Sequence, residues 1–150
     1  MQLTREQLAT LCDIAIEAGR EIMDVYASPI ESWQKDDKSP LTQADLRADA
    51  VIRRRLESEF AGVFILSEES VSAKSSDTRV FFLVDPLDGT KEFLKRNGEF
   101  TVNIALIEDG LAIAGVVYAP ALNEMFYAAQ GHGAWKGQGA AAQPLQTRVV

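Results

Sequence analysis

The first 27 residues have the hydrophobic spacing of an amphipathic helix. Apolar residues recur every three or four positions, which places them along one side of a helix. Thr4 and Gln7 match the sequence pattern of a capping box, and Ser28-Pro29 supplies a stop signal. We therefore predict a helix over residues 4–27. The residues on its buried stripe are Leu8, Leu11, Ala15, Ala18, Ile22 and Val25.

A second amphipathic segment follows a polar loop at residues 31–40. Its apolar positions again have helical spacing, which predicts a helix over residues 42–60. The arginines at positions 53–55 fall on the other side of this helix and are expected to be mostly solvated. The residues predicted for its inner face are Ala48, Ile52, Leu56 and Phe60.

Short apolar runs then predict two buried strands. The first covers residues 63–66 and the second covers residues 80–84. Between them, residues 70–79 have the composition of a loop. The helical spacing of the first 60 residues does not return in this part of the chain.

From residue 98 onward the pattern predicts strands alone. Residues 100–107 and 111–118 flank Asp109-Gly110, a strong hairpin signal, and residues 123–129 form a further strand. Two helices followed by a meander of strands predict an α+β fold, with the helices packed on one face of a mainly antiparallel sheet. Further turns are marked by Gly131, Gly133, Gly137 and Gly139.

Length and composition limit the function classes. The 150 residues suit a single domain, and the net charge of -7 argues against a nucleic-acid polymer as partner, because phosphate backbones are bound by basic surfaces. Cys12 is the only cysteine, which excludes an intrachain disulfide and suits a reducing compartment. We expect Cys12 to lie in the core. Without a signal-peptide pattern or a membrane-spanning run, a cytoplasmic location is expected.

Four acidic residues lie at the ends of the two predicted apolar strands. Glu68 and Glu69 come after the first strand, and Asp85 and Asp88 come after the second. If the strands are neighbours, the four carboxylates come together and repel one another unless a cation holds them. Mg²⁺ prefers such oxygen ligands. Each pair alone is also compatible with an ordinary turn or a solvated strand end, and it is the conjunction that favours a metal site.

The segment VDPLDGT, residues 84–90, has a geometry that suits metal and phosphate. Pro86 fixes a bend, so Asp85 and Asp88 can face one centre together with the carbonyl oxygen of Leu87. Gly89 allows a phosphate to approach the backbone closely. Thr90 offers a hydroxyl that can hold a water molecule.

These motifs resemble a known family. VDPLDGTKEF, with the upstream segments LSEES and SPLTQAD, resembles the inositol monophosphatase superfamily of Mg²⁺-dependent, lithium-sensitive phosphatases. The resemblance covers nearly the whole chain and implies the N-terminal part of that family's layered sugar-phosphatase fold. The continuation after Gly-Thr is similar to the 3'(2'),5'-bisphosphate nucleotidase branch. That branch implies hydrolysis of 3'-phosphoadenosine 5'-phosphate to AMP and phosphate.

Two alternatives stay open within the resemblance. An inositol or sugar monophosphatase of the same superfamily is the first, although such enzymes usually carry an asparagine shortly after Gly-Thr, where this chain has Lys91-Glu92-Phe93. A metal- or phosphate-binding module without turnover is the second. A haloacid dehalogenase phosphatase is rejected, because two residues rather than one separate Asp85 from Asp88 and hairpins follow.

The resemblance implies a ligand set for two or three Mg²⁺ ions. Glu68, Asp85 and the Leu87 carbonyl would hold the first ion. Asp85 would also contact the second ion, together with Asp88. Glu69 would act through water molecules, at a third and weaker site.

The resemblance also implies residues that position the water and the substrate. Asp45 and Thr90 would place the attacking water, and the amides of Gly89 and Thr90 would hold the phosphate. The alternative role of Asp45 is helix capping with Thr42. Lys91, Lys95 and Arg96 either attract a second phosphate or form a solvated patch. The residues implied to contact substrate are Glu68, Leu87, Asp88, Gly89 and Thr90.

One departure from the family pattern concerns the second metal. The family draws a further aspartate from a Trp-Asp segment in a C-terminal half, whereas neither Trp33 nor Trp135 precedes an aspartate here. Asp109 is the only aspartate after Asp88, and it lies in a predicted turn. Residues 137–150 contain no helix to cover the second face of the sheet. We therefore expect residues 1–150 to be the N-terminal metal- and phosphate-binding domain, without the C-terminal domain.

Three smaller expectations complete the sequence analysis. His132, between glycines, is expected to be a turn residue rather than a ligand. The chain is a candidate homodimer. Relatives of this branch also suggest a peripheral association with the inner membrane surface.

Overall fold

The structure is a computed structural model that describes residues 1–28, 40–67 and 79–148. These residues form three α-helices and seven β-strands, and the predicted α+β class is confirmed. In chain order the elements are α1 (Arg5–Tyr26), α2 (Pro40–Glu59), β1 (Phe64–Ser67), β2 (Val80–Asp88), α3 (Thr90–Lys95), β3 (Thr101–Glu108), β4 (Leu111–Ala119), β5 (Glu124–Ala129), β6 (Gly133–Lys136), a 3₁₀ turn (Gly139–Ala141) and β7 (Gln143–Leu145).

The strands form one sheet in sequential order, β1 to β7. β1 and β2 run parallel, and every later neighbouring pair is antiparallel. The β3–β4 hairpin turns at Asp109 and Gly110, whose φ angles of 50° and 80° suit a two-residue turn with both central residues left-handed. The predicted mainly antiparallel sheet is therefore confirmed, and β6 and β7 are strands that the sequence analysis did not identify.

The two long helices cover one face of the sheet. α1 contacts β3, β4 and β5, and α2 contacts β1 and β2. Burial alternates along β3, where every second side chain faces the helices, as a sheet with one covered face requires. The largest side chains that are fully buried in this layer include Ile14, Ile22, Leu56, Phe82, Ile104 and Leu106.

α1 agrees closely with its prediction. The side chain of Thr4 accepts a hydrogen bond from the Gln7 amide, and the Gln7 side chain accepts one from the Thr4 amide, so both halves of the capping box form. Cys12 is buried, as expected. The six residues of the predicted stripe are all buried.

α2 begins earlier than predicted, at Pro40 rather than Thr42. Proline is favoured in the first turn of a helix because its missing N–H has no intrahelical partner there. Thr42 is consequently inside the helix, and the capping role considered for Thr42 and Asp45 is wrong. The inner face of α2 was predicted correctly, since Ala48, Ile52, Leu56 and Phe60 are all buried.

Two of the three arginines at positions 53–55 are less solvated than expected: the side chains of Arg53 and Arg55 are 21% and 23% exposed, whereas that of Arg54 is 67% exposed, as predicted. All three pair with carboxylates. Arg54 lies 3.0 Å from Glu17 of α1, and Arg55 bridges Glu17 and Asp13 at 2.5 and 3.3 Å. Arg53 pairs within α2. Each partly exposed pair contributes at most about 1 kcal/mol, so these pairs align the two helices more than they stabilise them.

β2 is longer than predicted, because it continues from Val84 through the VDPLDGT segment to Asp88. The short helix α3 then follows, which the sequence analysis missed. Six residues are too few to form a stable helix alone. Phe93 of α3 is buried against Tyr26 and Phe100, with ring centroids 5.6 and 5.4 Å away. Tertiary packing therefore stabilises α3.

The second face of the sheet carries exposed apolar side chains. Leu66, Leu83, Val117 and Phe126 come from four different strands, and each is between 37% and 46% exposed. Between β5 and β6, His132 lies in a turn, as predicted, and its Nε2 atom is 2.7 Å from the Leu3 carbonyl oxygen. None of the helices in the described ranges has the length and apolar character to cross a membrane.

Gly89 provides a test of the backbone at the start of α3. Its φ angle is 94°, and a Cβ atom there would lie 3.1 Å from the carbonyl oxygen of Glu99. Gly62 also has a positive φ, 83°, but open space around it. We predict that Gly62→Ala costs about 1 kcal/mol of unfolding free energy from strain alone, and that Gly89→Ala costs at least about 1 kcal/mol more. Urea unfolding measures both, and equal losses would contradict the close approach.

Cys12 provides a second test. Burial, followed by the nearby charge of Asp13, raises the pKa of its thiol to about 12. The thiolate is the reactive form, so at pH 8 its population in the folded chain is on the order of 1000-fold lower than in the unfolded chain. We predict correspondingly slow alkylation by iodoacetamide in buffer and fast alkylation in urea. Similar rates in both conditions would contradict the burial of this thiol.

Candidate active site

The two aspartates of the VDPLDGT segment lie on β2 across an irregularity. Asp85 pairs with Asn103 of β3 and Asp88 pairs with Thr101, so three steps along β2 match two steps along β3. One extra residue is therefore accommodated in β2, which is a β-bulge. Pro86 lies inside this bulge, where its missing N–H interrupts no ladder hydrogen bond.

The bulge decides which face of the sheet the aspartates occupy. Cross-strand partners share a face, and Thr101 and Asn103, two residues apart on β3, share one as well. Asp85 and Asp88 therefore lie on the same face, whereas residues three apart on a regular strand lie on opposite faces. In agreement, the Asn103 amide donates a hydrogen bond of 3.2 Å to Asp88. Leu87, 1% exposed, packs into the core.

The oxygen atoms at this edge fit a hard cation. Oδ1 of Asn103 is buried and accepts no hydrogen bond within the described part of the chain. Oδ1 of Asp85 is buried too, although Asp85 has interactions of its own. Asp88 is exposed. A buried oxygen without a donor costs about 1–3 kcal/mol, and Mg²⁺ is bound by carboxylate and amide oxygens of this kind.

The described residues include two of the four predicted carboxylates, Asp85 and Asp88. Within residues 1–28, 40–67 and 79–148, no group of three or more His, Cys, Asp or Glu side chains is arranged to hold a metal ion. Glu68 and Glu69, the other two predicted carboxylates, lie outside the described residues. Their strand does lie beside β2, since Ser67 pairs with Val84. The condition for bringing the four carboxylates together, that the two apolar strands are neighbours, is thus met.

Gly89 and Thr90 lie at the start of α3. Gly89 is the residue before the helix, and Thr90 is its first residue, with an exposed side chain. The left-handed backbone and the close approach of Glu99 require glycine at position 89 for the fold itself. Phosphate binding by the two amides stays a prediction.

Asp45 lies in α2 and is 9% exposed, an unusual position for a carboxylate. α2 contacts α3, the helix that begins at Thr90. The elements that carry the predicted water-positioning pair are therefore in contact. The pairing of Asp45 with Thr90 stays a prediction.

The basic residues after Thr90 differ in their surroundings. Lys91 and Lys95 are exposed on α3. Arg96 instead donates a hydrogen bond of 2.7 Å to the Tyr26 carbonyl oxygen, and its guanidinium carbon lies 4.5 Å from the centre of the Tyr26 ring. Arg96 thus joins the end of α3 to the end of α1.

Sequence reasoning missed two polar features near the site. Asn103 lies in an otherwise apolar stretch of β3, and an amide at that position was the available signal. Asp49 follows Asp45 by one helical turn, and its Oδ1 atom accepts a buried hydrogen bond from the hydroxyl of Ser67. The spacing of the two aspartates on an otherwise apolar helix face was the signal for Asp49.

A shallow depression of about 620 Å³ borders the acidic edge on the face away from the helices. Its floor is mostly apolar, so a charged phosphate would bind at its acidic rim only with cations present. The residues that line the depression are Leu66, Ser67, Leu83, Val84, Asp85, Asn103, Ile104, Ala105, Gly115, Val116 and Val117.

Comparisons with known proteins place this arrangement in a family. The model of the inositol monophosphatase family matches residues 4–150. Over 145 residues, or 94% of this chain, the sequence is 49% identical to the 3'(2'),5'-bisphosphate nucleotidase CysQ of Salmonella typhimurium and 47% identical to that of Escherichia coli K12. The chain spans 58% of the length of each of these relatives.

A solved structure agrees. The crystal structure of CysQ from Bacteroides thetaiotaomicron, a bacterial member of the inositol monophosphatase family, superimposes with a TM-score of 0.77 at 37% identity. The match covers 97% of this chain and 53% of that protein. The resemblance drawn from the VDPLDGT, LSEES and SPLTQAD segments is therefore confirmed, and this chain belongs to the inositol monophosphatase family.

Proposed function

We propose that this chain carries the metal- and phosphate-binding site of a Mg²⁺-dependent phosphatase. The placement of Asp85 and Asp88 on one face of the sheet, beside Asn103, is the observation on which the proposal depends. The CysQ relatives, which share almost half of their aligned residues with this chain, are named as 3'(2'),5'-bisphosphate nucleotidases. We extend that activity to this chain, with 3'-phosphoadenosine 5'-phosphate as substrate and AMP and phosphate as products.

Among the described residues, the carboxylates of Asp85 and Asp88 and the carbonyl oxygen of Leu87 would hold Mg²⁺. Glu68 completes the predicted ligand set, and Glu69 would act through water. When bound, Mg²⁺ supplies positive charge to the phosphate and lowers the pKa of a coordinated water. The presence of two or three ions is part of the proposal.

The residues around Gly89 would position the reactants. Thr90 is exposed, so its hydroxyl can form a hydrogen bond with a water molecule. The Asp45 carboxylate can accept a hydrogen bond from the Thr90 hydroxyl. Such a pair would orient the water toward phosphorus, and the amides of Gly89 and Thr90 would hold the phosphate. The water oxygen forms a bond to phosphorus as the bond between phosphorus and the ribose 3'-oxygen breaks. Of the two water protons, one stays on the released phosphate, and the other is balanced by the proton that the 3'-oxygen takes up as it leaves as a hydroxyl.

A second candidate function is metal and phosphate binding without turnover. The sequence observation that favours it is the departure at the second metal, since neither Trp33 nor Trp135 precedes an aspartate in these 150 residues. A cytoplasmic location, a peripheral membrane association and a homodimer are further proposals that await measurement.

Phosphate release from 3'-phosphoadenosine 5'-phosphate tests the proposed activity. We predict release by the 150-residue chain that requires Mg²⁺, stops on chelation and is inhibited by lithium. Asp88→Asn keeps the size of the side chain but removes its charge. We expect it to reduce release by more than about 100-fold, since changing even the outer partners of metal ligands costs roughly 10–100-fold. Calorimetric titration with Mg²⁺ accompanies the assay.

Asp109→Asn is the matched control, because Asp109 is an exposed carboxylate in the β3–β4 turn, at the end of β3 opposite to Thr101, the residue that pairs with Asp88. Equal effects of the two substitutions would contradict a specific role for Asp88. Mg²⁺ binding without phosphate release would support the module without turnover. Faster release from inositol 1-phosphate than from the nucleotide would overturn the substrate assignment while leaving the metal site intact.

A further inference from the structure

Three polar or charged residues are buried in the described part of the chain: Asp45, Asp49 and Ser67, at 9%, 7% and 5% exposure. Asp49 and Ser67 are hydrogen-bonded to each other. The hydroxyl of Ser67 donates a hydrogen bond to Oδ1 of Asp49, and both groups are buried. The contact joins residues 18 positions apart in sequence, so the tertiary fold creates it.

Placing a carboxylate at the buried position 49 costs free energy of folding. Burying a charged or polar group costs free energy that a hydrogen bond recovers only in part, and an apolar pair of similar volume usually packs at least as stably. Ala48 and Ile52, which flank Asp49 on the inner face of α2, are apolar and buried. What the Asp49–Ser67 pair adds to the contact between α2 and β1 is a directional hydrogen bond.

The hydrogen bond lies between two elements of the proposed site. Ser67 is the last residue of β1 and pairs with Val84, the residue before Asp85. Asp49 follows Asp45 by four residues, so the two aspartates share one side of α2. The contact therefore connects the helix that carries Asp45 to the strand edge that carries Asp85.

We propose that Asp49 is a positioning residue for the metal-dependent reaction. By accepting the Ser67 hydrogen bond, it fixes the end of β1, and with it the adjacent acidic edge of β2, relative to α2. Asp45 and Asp85 consequently keep the separation that the reaction needs, although Asp49 touches neither metal nor substrate. This inference rests on the proposed function.

The test measures Mg²⁺ affinity by calorimetry in the 150-residue chain. Asp49→Ala and Ser67→Ala each remove one side of the hydrogen bond, and we expect each to weaken Mg²⁺ binding about 10-fold. The double variant should be no weaker than either single one, because both changes remove the same contact. Asp49→Asn keeps an acceptor oxygen and should bind within about 3-fold of the unchanged chain. Where phosphate release is measurable, kcat should fall with little change in KM.

Asp13→Ala is the matched control for general destabilisation. Asp13 is a carboxylate that joins α1 to α2 through Arg55, away from the β1–β2 edge. The proposal is overturned if Asp49→Ala weakens Mg²⁺ binding no more than Asp13→Ala, or if the two changes at positions 49 and 67 add independently. Should Asp49→Ala fail to fold, Ser67→Ala removes only a hydroxyl and decides the question.

Asp88→Asn separates this inference from the proposed function. If Asp88→Asn abolishes Mg²⁺ binding and the Asp49 and Ser67 variants do not weaken it, only the positioning role of Asp49 fails. If Asp88→Asn leaves binding unchanged, or the unchanged chain binds no Mg²⁺, the proposed metal site fails and the positioning role fails with it.

Discussion

The β-bulge in β2 is the constraint on which the candidate site depends. One extra residue between Asp85 and Asp88 reverses the alternation of side chains, so both carboxylates reach the face away from the helices. The same reversal sends Leu87 into the core, where it is 1% exposed. Pro86 lowers the free-energy cost of the bulge, because proline has no N–H and so loses no ladder hydrogen bond there. The acidic edge and the hydrophobic layer are thus two results of a single backbone feature.

The helices on the other face hold this edge in place. α3 is too short to be stable alone, and the packing of Phe93 against Tyr26 and Phe100 anchors it to the end of α1. Arg96 adds a hydrogen bond to the same end of α1. The backbone that turns from Asp88 into Thr90 is therefore supported from the helix side, although the carboxylates themselves face away from the helices. A rigid support of this kind is what a metal site needs from its scaffold.

Family membership and the geometry of this chain support each other at different scales. The match to the inositol monophosphatase family covers residues 4–150, and the alignment with the CysQ relatives covers 58% of their length. At the scale of atoms, the structure adds the shared face of Asp85 and Asp88 and the bond between Asp49 and Ser67. The first result identifies the fold, and the second indicates how this chain arranges the oxygens that such a fold presents.

The sequence by itself determined the local elements. The capping box and apolar stripe of α1, and the hairpin at Asp109-Gly110, were predicted because each depends on residues at most a few positions apart. It also singled out VDPLDGT as the candidate metal-binding segment, but it did not predict that β2 continues through this segment to Asp88. Only the tertiary structure decided α3, the face that Asp85 and Asp88 share, and the partner of Asp49. These features depend on strand register and on packing between residues distant in the chain, which local spacing does not encode.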